Sequence, residues 1–138
     1  MAGIPLPKCK AILICERTIV EAATGQTSLI GIFDEFTLPT IPGRTEPFRL
    51  YIRLSEGIGQ YRIHVEIHDL QEDQIIGRTD PAIVHWEERL ATAELFISIP
   101  RLRIPHAGPY DLIVLANGEE IDRQQFTVHQ DEGDDEDE

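Results

Sequence analysis

The stretch "AGPYDLIVLANGEEIDRQQFTV" (Ala107–Val128) decides the fold. Two apolar, β-prone runs flank Asn117-Gly118, and an Asn-Gly pair is a strong two-residue hairpin signal because both central positions of that turn need positive φ. The stretch therefore predicts two antiparallel strands joined tightly. Inside–outside parity slips between Ile121 and Phe126, which predicts a bulge in the last strand.

Upstream, the same grammar recurs. Short runs rich in Val, Ile, Phe and Tyr alternate with Gly, Pro, Asn and Asp about every ten residues, and helical periodicity is absent. "CKAILICERTIVEA" (Cys9–Ala22) predicts a long strand, "ATGQTS" a hairpin loop, and "LIGIFDEFTL" (Leu29–Leu38) its return, with Gly31 marking a bulge or a close approach. "PTIPGRTEP" (Pro39–Pro47) has three prolines and suits a crossing between sheets rather than a central strand. Phe48, Leu50, Ile52 and Leu54 then alternate with Arg49, Tyr51, Arg53 and Ser55. Past "EGIG", Tyr61, Ile63, Val65 and Ile67 alternate with Arg62, His64, Glu66 and His68. That period of two is what half-buried antiparallel strands require. Trp86 shares parity with Val84 and is assigned to the core. The expected fold is an all-β, antiparallel Greek-key sandwich of eight or nine strands, immunoglobulin-like, with one domain over residues 1–130. In such sandwiches a tyrosine at the start of a strand can bond back to upstream backbone; Gly108 and Tyr110 fill that pattern, with Leu112 where secreted domains carry a bridging cysteine.

At 138 residues the chain has the length of one domain. Its formal charge is −13, and "DEGDDEDE" (Asp131–Glu138) supplies seven of the 25 carboxylates. That tail is too charged to pack and is expected to be disordered. An acidic body repels phosphate backbones and anionic lipid, which argues against nucleic-acid and membrane partners. No stretch is long enough to span a bilayer, and "AILIC" (Ala11–Cys15) ends at Glu16 and Arg17, too soon for a leader core. A cytoplasmic location is expected. Cys9 and Cys15 fall on one strand about 20 Å apart, out of disulfide reach, and are expected as buried, reduced thiols.

"TSLIGIFDEF" after a first strand, the three-proline loop, and the ending "GPYDLIVLANGEEIDRQQFTV" together resemble an uncharacterised bacterial family of small β-sandwich proteins, a domain of unknown function. The similarity covers about Lys10–Val128 and leaves out the tail. The shared residues are core and turn positions, so the resemblance implies a fold and carries no catalytic residues.

Chemistry is sparse. His64, Glu66 and His68 share one strand face and are acceptable zinc or iron ligands, yet the first and last stand about 13 Å apart on a straight strand. A bend, or a fourth residue such as His85, would be needed. If the "EGIG" turn closes symmetrically on Gly57 and Ile58, Tyr51 falls opposite His64 and Arg49 opposite Glu66. Arg49, Tyr51, Arg53, Arg62, His64, Glu66 and His68 would then form one partner-binding platform on a rigid sheet, of residue types enriched at binding hot spots. "GIG" precedes no helix and cradles no phosphate. Arg101 and Arg103 make a small basic loop beside His106 that could hold an anion. No serine elbow, P-loop or activated cysteine is legible, and no cofactor is expected. The reading is a non-enzymatic module that binds another protein, with a metal-dependent enzyme using the His64/Glu66/His68 face, or a structural subunit pairing through edge strands, as the alternatives. Oligomeric state stays open.

Overall fold

A computed structural model describes residues 5–131 of the chain. Twelve strands were found among them: β1 (Lys8–Val20), β2 (Thr27–Phe33), β3 (Glu35–Leu38), β4 (Gly43–Arg44), β5 (Phe48–Ser55), β6 (Gly59–Asp69), β7 (Gln74–Arg78), β8 (Ala82–Trp86), β9 (Ala93–Ile99), β10 (Arg103–Ile104), β11 (Gly108–Ala116) and β12 (Glu119–Gln130). The count exceeds the eight or nine expected because the proline-rich loop and "PRLRIP" contribute the two-residue pair β4–β10, and "LIGIFDEFTL" divides at Asp34 into two strands.

Two sheets face each other. One runs β2-β1-β5-β9; the other runs β3-β12-β11-β6-β7, with β8 pairing β6 beyond β7. Alternate residues of each strand turn inward, so Ile12, Ile14, Leu50, Ile52 and Leu54 of the first sheet meet Tyr61, Ile63, Val65, Leu112, Val114 and Phe126 of the second in one core. All ladders are antiparallel except β3 on β12, which is parallel. The last hairpin forms at Asn117 and Gly118, both at positive φ, and the ladder shifts register between Val114 and Leu115, leaving Ile121 as the extra residue.

The platform does not form. β5 pairs with β1 and β9, whereas β6 pairs with β11, β7 and β8 in the opposite sheet. Tyr51 therefore stands beside Leu13 and Phe96, and His64 beside Leu115. "EGIG" crosses the core instead of closing a hairpin: facing sheets are about 10 Å apart, within reach of a four-residue link. Gly57 is required there by contact, since a Cβ on it would lie 2.2 Å from the Trp86 ring.

β1 and β2 form an arm. Val20 pairs with Thr27, while Ala11, nine positions back, pairs with Arg53, whose other neighbour is Glu94. On a straight strand Thr27 and Glu94 would be about 30 Å apart. Instead the Thr27 hydroxyl donates to the Glu94 carboxylate at 3.0 Å, so the outer part of the hairpin folds back across its own sheet. The fold-back starts where Gly31 (φ +71) opposes Glu16, whose carboxylate lies 2.8 Å from where a Cβ would sit. No register shift occurs there; Gly31 serves a close approach.

Cys15 is fully buried and Cys9 only half-buried, both on β1. The segment expected to be a tail starts paired: the Asp131 N–H donates to the Leu38 carbonyl at 2.7 Å, continuing the β12–β3 ladder. Glu132–Glu138, the rest of that segment, lies outside the described residues.

Candidate functional site

The residues singled out by sequence lie on the outer faces of two different sheets. On the first, Tyr51 is 5% exposed, covered by the arm, and its hydroxyl donates to Glu94. Arg53 bonds the same hydroxyl at 3.2 Å and pairs with Glu94 at 3.5 Å. Burial, followed by the bond to Glu94, raises the Tyr51 pKa. Tyr51 and Arg53 thus help latch the arm, and Tyr51 is not a free contact residue. Arg49 stays exposed beside Cys15 and Ser98.

On the second sheet, Glu66 is the centre of a charged cluster. One carboxylate oxygen meets His68 Nε2 at 2.9 Å; the other meets His64 Nε2 at 3.4 Å and Arg78 Nη2 at 3.2 Å. Hydrogen bonding from His68, above all, holds its pKa below the ordinary carboxylate range. The histidines point their nitrogens at this carboxylate rather than at a shared vacant point, and among the described residues no group of three or more His, Cys, Asp or Glu could hold a metal ion. His85 pairs with Gln60, two same-face positions from His64, or about 13 Å. Arg62 shares the face, with Ile83 beside it.

His106 leaves the basic loop for an acidic partner. Its Nε2 lies 2.7 Å from the buried Asp69 carboxylate and its Nδ1 lies 2.8 Å from the Ala107 carbonyl. Both nitrogens face acceptors, an arrangement that favours the doubly protonated ring and raises its pKa. Tyr110 lies under it, stacked at 5.6 Å, and donates to the His106 carbonyl at 2.6 Å. Gly108 takes φ +131 at the entry to β11.

The thiols are poor nucleophiles. Burial, with the Asp122 charge behind it, pushes Cys9 up to about 12, and burial also raises Cys15.

Sequence reasoning missed a cleft of about 760 Å³, which opens where the chain passes from β2 to β3. Phe33, Phe36 and Phe48 line it, and their rings meet edge-on with centroids 4.9 and 5.0 Å apart. Arg44 and Arg101 stand in its wall with Glu16, Glu35 and Glu46. Only the proline-rich crossing beside three phenylalanines hinted at it. Arg103, expected with Arg101, pairs with Arg44 in the β4–β10 ladder and does not line the cleft.

Two facing sheets with a Greek-key strand order place the chain among immunoglobulin-like β-sandwiches. It belongs to a family of unknown function (DUF6941), which matches residues 10–129. No curated protein matches. Among solved structures, the chain is similar to the Pseudomonas fluorescens alkylpurine DNA glycosylase AlkC bound to DNA containing an abasic site analog, at 13% identity and a TM-score of 0.51, over 86% of this chain and 30% of that one. It is also similar to the β-glucosidase from Listeria innocua in complex with isofagomine, at 12% identity and a TM-score of 0.50, over 70% and 15% of the two chains. An immunoglobulin-like protein from Pseudomonas aeruginosa aligns over 93% of this chain and all of that one, at 14% identity and a TM-score of 0.38. The chain thus spans under a third of the two enzymes, and these likenesses concern the fold alone.

Proposed function

We propose that the chain is a non-enzymatic protein-binding module of a bacterial cytosol. One observation carries the reading: β2, an edge strand of its sheet among the described residues, reads TSLIGIF without a single charge, and Ile32 on it is 57% exposed. Natural edge strands are ordinarily guarded by charge or proline, and an unguarded one is a template for another chain. Ile19 and Val20, at the far end of β1, add exposed apolar surface. The non-enzymatic part is supported by the occupied state of the reactive groups: Glu66 is shared among His64, His68 and Arg78, and both thiols stay protonated. The DNA bound by the glycosylase is a poor model for this chain, whose 25 carboxylates outnumber its 12 Lys and Arg. Reduced cysteines and the resemblance to a bacterial family support the location.

The test is affinity capture from the native host with wild-type and Ile32→Lys baits. A protein retained by the wild type and lost with the variant, at an unchanged melting temperature, is the expected result. Identical captures from both baits would exclude the β2 edge.

A further inference from the structure

Resting on the protein-binding reading, we propose that the cleft between β2 and β3 is a docking groove whose occupant is an extended peptide segment of another protein, ending in a single carboxylate. Among the described residues β3 is the last strand of its sheet, with β12 on one side only. No β12 residue lines the cleft, so the cleft follows the open side of β3. The carbonyls of Asp34 and Leu38 accept from Thr127 and Asp131, on the β12 side. Backbone groups of a strand alternate in direction, so the N–H and C=O groups of Glu35 and Thr37 point into the cleft. They offer a short ladder to an added strand, which is how extended peptides gain affinity on sheet edges. Phe33, Phe36 and Phe48 supply an apolar floor for an alternate side chain of that strand.

The arginines define the end group. Arg44 donates to the Arg101 carbonyl at 3.4 Å and Arg101 to the Thr45 carbonyl at 3.3 Å. Neither has a carboxylate within ion-pair distance among the described residues, although the chain holds about twice as many carboxylates as Lys and Arg. Two guanidiniums left to carbonyls suit a planar, bidentate anion. Glu16, Glu35 and Glu46 share the wall, with Glu35 paired to His129 at 3.0 Å. Three carboxylates against two arginines repel a polyanion and admit one negative charge at the arginine end. That favours a peptide terminus over the chain's own Glu132–Glu138, with six carboxylates in seven residues.

The probe is a fluorescein-labelled pentapeptide, Thr-Val-Thr-Val-Phe, with a free terminal carboxylate, compared with its terminal amide by fluorescence polarisation on the full chain. The acid is expected to bind at least about tenfold tighter than the amide, and Arg101→Ala or Arg44→Ala to abolish that difference. Both variants are read beside their unfolding midpoints, and Arg101→Ala serves if Arg44→Ala loosens the β4–β10 ladder. Amide resonances of Glu35 and Thr37 should move on addition of the acid. Equal binding of acid and amide, or no binding of either by about 1 mM, overturns the groove. Binding that appears only after removal of Glu132–Glu138 overturns it too, assigning the groove to the chain's own terminus. A captured partner that depends on Ile32 while the peptides fail would leave the module reading standing without this groove.

Discussion

The hydroxyl of Tyr110 closes a turn four residues upstream while its ring, fully buried, stacks between His106 and Phe126 at 5.6 and 5.4 Å. Tyr110→Phe keeps the stacking and removes the hydrogen bond, so a loss of about 0.5–1.5 kcal/mol is expected in a urea titration. An unchanged midpoint would show that the bond contributes nothing net. His106 sets a pH dependence at the same corner. The groups facing it are the Ala107 carbonyl, the Asp69 carboxylate, the Glu72 charge and the Tyr110 ring. The Ala107 carbonyl, then the Asp69 carboxylate, raise its pKa against an opposing burial effect. A group raised in the folded state stabilises fully below its unfolded value, about 6.5, and loses that contribution as pH rises through the folded value. The stability gap between wild type and His106→Gln should therefore be widest below the unfolded value and narrow as pH rises through the higher folded value. A gap independent of pH between about 5 and 9 would mean that the fold does not raise the His106 pKa. The sequence flagged Tyr110 through its place before a strand. Nothing in it paired His106 with Asp69, 37 positions away, because side-chain partners at that range are chosen by the packing of whole strands.

At the scale of elements, the alternating runs of β5 and β6 are plain in the sequence, and the structure puts Phe48, Leu50, Ile52 and Leu54 inside with Tyr61, Ile63, Val65 and Ile67. Their partners were not legible. Alternation fixes which face meets the core, and it is the same whether two strands pair side by side or face each other across the sandwich. Four residues of "EGIG" permit both. Gly57 carries the discriminating information: a turn glycine tolerates a methyl where φ allows, whereas this one lies against Trp86. Gly57→Ala is expected to cost about 1–3 kcal/mol, the range for overpacking, measured by thermal and urea unfolding. A neutral result would mean that the Trp86 ring yields, despite its hydrogen bond to the Ala91 carbonyl at 3.0 Å. The arm was equally hidden, because the fold-back depends on Glu94, 67 positions from Thr27, and one glycine opposite Glu16.

For the molecule as a whole, the sequence alone determined the class of fold, the last hairpin with its bulge, the inward faces of the strands and the separation of the two cysteines along one strand. These are local properties: side-chain period, turn conformation and strand rise act over a few residues and are written in them. The tertiary structure decided the rest. It sent the Arg49–Tyr51–Arg53 and Arg62–His64–Glu66–His68 rows to opposite outer surfaces, turned Tyr51 into part of a latch, surrounded Glu66 with two histidines and an arginine, and opened a phenylalanine-floored cleft at the β2–β3 crossing. Each of these follows from which strand neighbours which. That choice is made by the fit of two apolar faces over the whole core, where many sequences of the same pattern share one local grammar.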